Sequence, residues 1–340
     1  MARNATIDSL RGLALLLMVM VHAAATWQPE QTSTTGILAF FVAGFGGLAA
    51  PIFIVLVGWG AAKSRRNLQS IFIKVTILLT AQILVNNAGS HLFEPLTPGV
   101  LSLIAIIILS SGLWLPLTRI EYKKKPIWLI PLVMMIILPT IISPGRLTWN
   151  AMVNTPDFET LIRHLLWDGT YPLFPWLAFA MVGARIHDLS HIKKGVGQLL
   201  SGGILLFLIW AIMGYVSNSQ LAAPSGNAVM TFFPANLPFI TTSLTCVGII
   251  WMALSRSQKI PGLESIGRVT LTFYILHFIP LNLMYNLDET GNWSFTTSMM
   301  VTILYTLIWW PLAILHQEKI PNYSIESLIT RVTKLKTISP

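Results

Sequence analysis

The sequence predicts an all-α, polytopic membrane bundle of about ten transmembrane helices, with both termini in the cytoplasm. Three observations carry this reading. Hydrophobic residues fill 54% of the 340 positions and charged residues only 10%, against about 25% charged in a soluble domain. Apolar stretches recur, each long enough to cross a hydrocarbon core about 30 Å thick, which takes about 20 helical residues. The 22 Lys and Arg residues fall on alternate loops: with the N-terminus inside, only Arg146 and Arg163 lie outside, a strong positive-inside bias. The net charge of +9 therefore reports orientation in a cell membrane, not a nucleic-acid partner.

Taken in order, the spans are expected near 7–27, 36–62, 69–89, 99–118, 126–143, 170–187, 198–216, 236–255, 266–286 and 296–316. In the first, Arg3, the apolar run 12–21 and Ala23 to Ala25 mimic a cleavable signal peptide. Retention is favoured because the span carries ionisable residues. The second holds Gly44, Gly46, Gly47, Gly58 and Gly60 around Pro51, a pattern that lets helices approach closely. Between the fifth and sixth spans an outer amphipathic helix is expected near 156–168. Thr155 is its N-cap, Pro156 its first residue and Gly169 its stop, with Phe158, Leu161, Ile162, Leu165 and Leu166 on one face. Cys246, the single cysteine, lies mid-span as a small buried hydrophobe. No internal repeat or soluble domain interrupts the chain, so residues 1–316 read as one transmembrane domain. Residues 317–340 form a basic cytoplasmic tail.

Ionisable groups inside spans are costly and mark candidate sites. At 100° per residue, Arg11 and His22 lie about 20° apart around the first helix, with Asp8 within about 60° of both. Eleven residues place His22 roughly 16 Å from Arg11, toward the outer leaflet. A basic group at the inner mouth and a titratable group deeper in suit an extended substrate with an anionic head and a reactive tail. His277 in the ninth span is the second intramembrane candidate. Thr270 and Tyr274 share its face on a straight helix, and Arg268 lies opposite, free to bind phosphate at the inner surface. No pair of histidines has ligand spacing, so no metal site is implied.

The string RNATIDSLRGLALLLMVMVH at 3–22 resembles the first-span signature of the transmembrane acyltransferase superfamily. That superfamily includes heparan-alpha-glucosaminide N-acetyltransferase and membrane acyltransferases of bacteria and archaea. Three further stretches agree in order: APIFIVLVGWGAAKSRR at 50–66, YPLFPWLAFAMVGARI at 171–186 and IGRVTLTFYILHF at 266–278. The resemblance implies a cytoplasmic acyl-CoA donor, acetyl-CoA above all, and a carbohydrate or lipid-linked acceptor hydroxyl or amine at the outer face. It points to His22 as the intramembrane histidine, with Asp8 and Arg11 beside it, and to Pro172, Phe174, Pro175 and Trp176 as a structural motif. Residues 28–35 lack the loop histidine of the heparan-modifying members, which favours relatives whose histidine lies within the span. The expected site is therefore His22 and His277 as catalytic residues, with Asp8, Arg11, Arg65, Arg66 and Arg268 at the CoA phosphates. Membrane lipids are the other expected partners, and a homodimer is compatible. The competing class is a transporter or lipid flippase, although neither an inverted repeat nor several midplane charges are visible.

Overall fold

A computed structural model of the chain describes residues 4–27, 42, 44–64, 67–121, 126–142, 148–189, 193–256, 260–285 and 293–335. The N-terminal helices are α1 (Ala5–Thr26), α2 (Ala49–Lys63), α3 (Leu68–Ala88), α4 (Val100–Leu109), α5 (Ser111–Leu117) and α6 (Leu129–Ile142). After the short α7 (Trp149–Val153) and α8 (Phe158–Arg163), a π-helical turn at His164–Asp168 leads to α9 (Leu173–Leu189) and α10 (Lys193–Val216). Strands β1 (Ala222–Ser225) and β2 (Met230–Phe233) pair in parallel. They are followed by α11 (Leu237–Arg256), α12 (Leu263–Arg268), α13 (Thr270–Leu276), α14 (Phe278–Met284), α15 (Phe295–Lys319) and α16 (Ile325–Leu335). The protein is thus an all-α membrane protein with a two-stranded ornament.

Among the described residues, five helices are long and apolar enough to cross a membrane, and six if α4 and α5 form one span bent by 74°. Shorter apolar helices occupy the expected fifth, seventh and ninth spans. Large apolar side chains such as Phe72, Leu113 and Leu283 face outward, at 59%, 77% and 77% exposure. Such a surface suits lipid and not water.

The chain divides into two compact units. The first comprises Met1–Ile52, Ile83–Pro95 and Ile250–Pro340; the second comprises Phe53–Gln82 and Leu96–Ile249. In the first, α1 packs against α12, α13 and α15. Two glycines set the closeness of the α1–α12 pair: a Cβ on Gly12 would stand 2.2 Å from the Leu263 carbonyl oxygen, and one on Gly267 would stand 1.8 Å from that of Asp8. We expect Gly267→Leu to destabilise the protein by about 1–3 kcal/mol or more, the range for overpacking. Gly202→Ala, at a position where a Cβ meets nothing within 4 Å, should leave thermal unfolding in detergent unchanged. Equal unfolding temperatures for the two variants would show that α1 and α12 do not need this contact.

In the second unit α9 packs against α4 and α6. Gly58 and Gly183 make the reciprocal contact: their missing Cβ atoms would lie 1.9 Å from Ala180 O and 2.0 Å from Val55 O. Of the glycines of the second span, Gly58 thus serves close helix packing and Gly46 would bring a Cβ within 2.8 Å of Val21 Cβ, whereas a Cβ on Gly44 or Gly60 would meet nothing within 4 Å. Trp176 and Phe179 are fully buried and join Phe232 and Phe239 in one aromatic cluster.

Three expectations are corrected. The fourth span is broken at Ser110. The ninth is broken at Val269, and again where His277 forms the turn between α13 and α14. The outer helix starts later than expected, because Asp157, not Thr155, accepts from the Thr160 amide at 2.7 Å. The Thr155 hydroxyl is turned toward the Val153 carbonyl and the His164 ring. The segment also buries His164 and leaves Phe158 74% exposed.

Candidate active site

Asn4 starts α1 by accepting from the Thr6 and Ile7 amides, at 3.1 and 3.4 Å, and no proline interrupts the helix to Thr26. The predicted stripe of Asp8, Arg11 and His22 therefore holds. Asp8 is buried at 4% exposure, and its Oδ1 lies 3.9 Å from Arg11 Nη1, whose side chain is 46% exposed. The contact of Gly267 with the Asp8 backbone brings the neighbouring Arg268 to the same end of α1. Arg268 Nη2 is 3.7 Å from Glu264 Oε2, while Arg268 Nε and Glu264 Oε1 are buried without a hydrogen bond. The helix break at Val269 separates Arg268 from His277, so the straight-helix count that put them on opposite faces does not apply. Arg65 and Arg66 lie outside the described residues.

At the other end of α1, His22 and His277 meet. His22 Nδ1 is 2.9 Å from His277 Nε2. The ring planes differ by 8° with centroids 5.2 Å apart, which describes two imidazoles edge to edge along a hydrogen bond and not face to face. His277 is fully buried, and its Nδ1 lies 3.1 Å from the Phe273 carbonyl oxygen.

A neutral imidazole has one N–H and one lone pair. A carbonyl only accepts, so His277 Nδ1 carries the hydrogen and Nε2 the lone pair. His22 Nδ1 must then donate to that lone pair, which leaves the lone pair of His22 on Nε2. The tautomers follow from this network. Among the described residues His22 Nε2 has no hydrogen-bond partner.

The surroundings fix this pair. Phe278 is fully buried and its ring centroid lies 4.6 Å from that of His22 and 4.1 Å from that of His277. Gly89 makes room for it, since a Cβ there would come within 2.8 Å of Phe278 Cδ1. Tyr305 donates its hydroxyl to the His277 carbonyl. The Thr26 hydroxyl donates to the His22 carbonyl at 2.9 Å, and His91 Nε2 stands 2.9 Å from the same Thr26 oxygen. His91 Nδ1 is 3.0 Å from Asn282 Oδ1, and burial pushes the His91 pKa down despite that bond.

Sequence reasoning named His22 and His277 separately and missed that they bond. It also gave no role to Thr26, His91, Asn282 and Tyr305. No sequence signal joins positions 255 apart in the chain.

A helix with a basic group at one end and, at the other, a histidine bonded to a second histidine can bind an anionic head at one end and move a proton at the other. A comparison with curated proteins finds no match. The acyltransferase domain family matches residues 4–315, nearly the whole chain; the chain belongs to this family of membrane acyltransferases.

Proposed function

We propose that the protein transfers an acyl group, acetyl by the resemblance, from cytoplasmic acyl-CoA to a hydroxyl or amine of a sugar or lipid-linked acceptor at the outer face. The observation that carries this reading is the directed chain Phe273 C=O, His277, His22, which leaves an unprotonated His22 Nε2 about 16 Å along α1 from Arg11. In this topology about ten spans make up residues 1–316, with both termini in the cytoplasm, a basic tail over 317–340 and the segment 156–168 outside.

In the transfer step the acceptor oxygen attacks the thioester carbonyl while His22 Nε2 takes its proton. The imidazolium so formed keeps its Nδ1–H on His277 Nε2. Collapse of the tetrahedral intermediate breaks the carbon–sulfur bond, and the CoA thiolate leaves with the Nε2 proton. The same geometry serves a two-step route. His22 Nε2 attacks the thioester carbonyl, the carbon–sulfur bond breaks to release the CoA thiolate, and the His22 Nδ1 proton passes to His277 Nε2. The acceptor then attacks the neutral acyl-imidazole, the acyl–nitrogen bond breaks, His277 returns its proton to His22 Nδ1, and the acceptor proton goes to the CoA thiolate. Arg11 and Arg268 hold the CoA phosphates, and Asp8 orients Arg11.

Arg11→Gln should weaken acetyl-CoA binding by roughly tenfold to a hundredfold, because a charge-assisted hydrogen bond contributes about 1.5–3 kcal/mol. Calorimetric titration of the purified protein with acetyl-CoA checks this. Wild-type affinity in a folded Arg11→Gln protein would remove Arg11 from the donor site. A wild-type protein that binds no CoA and transfers no acyl group would hand the site to the transporter reading.

A further inference from the structure

The ninth span is broken, and the piece that carries His277 begins without a cap of its own. The N-cap position of α13 is Val269, whose side chain has no oxygen to offer the first-turn amides. Orphan amides at a helix start need an acceptor, and need it most where water is scarce. That acceptor comes from the last helix, α16. Glu326 on α16 takes the amide hydrogens of Leu271 and Thr272 on Oε1, the latter at 3.4 Å. Its Oε2 accepts from the Thr272 hydroxyl at 2.7 Å, and that hydroxyl in turn accepts from the Ile325 amide at 2.9 Å. A carboxylate at this position also meets the positive end of the helix dipole.

The segment bearing Glu326 is itself held. His316 Nε2 donates to the Tyr323 carbonyl at 3.0 Å, closing the turn between α15 and α16. Arg331 Nη2 and the Ser327 hydroxyl donate to the Asn322 carbonyl at 3.2 and 2.5 Å. The carboxylate thus sits on a braced hairpin and not on a loose tail.

We propose that Glu326 is a positioning residue for the histidine pair: by capping α13 it holds the Phe273 carbonyl, and through it the tautomer and placement of His277 and His22. The proposal rests on the acyl-transfer reading of those histidines. One residue separates the capped amide of Leu271 from Phe273, whose oxygen receives both the backbone amide of His277, at 3.0 Å, and its Nδ1. A shift of the α13 start is therefore transmitted within one turn to the atom that decides which His277 nitrogen carries the proton. Glu326 lies beyond the residues matched by the acyltransferase family, so this chain supplies the cap from outside the shared domain.

The test compares wild type, Glu326→Ala and Glu326→Gln in the full-length protein. The readouts are single-turnover transfer at saturating acetyl-CoA, acetyl-CoA affinity, and hydrogen exchange of the peptide containing Leu271 and Thr272. Glu326→Ala should transfer roughly tenfold more slowly or worse, since small misplacements near a reacting centre have effects of this size. Its CoA affinity should be unchanged and the two amides should exchange faster. Glu326→Gln keeps one acceptor oxygen and should recover most of the rate. Wild-type transfer by Glu326→Ala overturns the proposal. So does a parallel loss of rate, affinity and thermal stability that glutamine does not rescue, because that marks a general folding role. If wild type transfers nothing, the acyltransferase reading fails first, and unchanged amide protection in Glu326→Ala then overturns the cap on its own.

Discussion

His22→Ala is expected to lower acyl transfer by about 10²–10⁴-fold, the usual contribution of a general acid–base residue, and further if acyl-histidine is obligatory. Membrane insertion and acetyl-CoA binding should remain, because in the proposed site the anionic head of the donor meets Arg11 and Arg268 at the other end of α1. The imidazole that would be lost is the one whose Nε2 is left with a lone pair by the hydrogen bonds of its neighbours. Single-turnover transfer with saturating donor, run beside His91→Ala, is the discriminating measurement. His22→Ala at the wild-type rate would move the base elsewhere in the cluster while leaving the family assignment intact. A dead His91→Ala beside an active His22→Ala would place the base on His91.

The second large effect concerns His277. Replacing it by Ala removes the acceptor that holds the His22 hydrogen on Nδ1, so His22 would populate both tautomers and lose its orientation. A base with its partner removed loses up to about 10⁴-fold in the Ser-His-Asp enzymes. The partner here is a neutral imidazole and not a carboxylate, so we expect about 10²-fold in single-turnover transfer, with CoA affinity unchanged. His277→Gln should retain part of the rate, because its Oε1 can accept from His22 Nδ1. If Ala and Gln are equally impaired, the acceptor function of His277 is not what matters. If neither is impaired, His22 works without it.

Much of the site's layout was legible in the sequence because α1 is one unbroken helix. Helical periodicity then converts the spacing of Asp8, Arg11 and His22 directly into a shared stripe. The same arithmetic failed for Arg268, because the break at Val269 separates it from His277. Thr270, Tyr274 and His277 lie beyond that break in one segment, and the Tyr274 ring packs against that of His277 with centroids 5.9 Å apart. The outer helix failed for a local reason: Asp157 and Thr155 can both cap, and the partners that occupy Thr155, the Val153 carbonyl and the His164 ring, belong to the folded segment. The C-terminal tail drew no attention as a basic tract, because the partners of Glu326 lie 54 and 55 positions earlier.

By itself the sequence determined the solvent, the helical class, a glycine-rich second span and a stripe of ionisable residues on the first. Each of these follows from composition or from a period within a single element. Hydropathy needs only a window of about 20 residues, and a glycine-rich face is visible before its partner is known. Tertiary structure alone decided which histidine nitrogen is basic, what caps the helix that holds His277, and which backbone the glycines approach. Those are properties of pairs distant in the chain. A hydrogen bond fixes a tautomer only when both partners and their order are present, and that order exists only after α1, the broken span α12–α14 and the terminal hairpin have packed together.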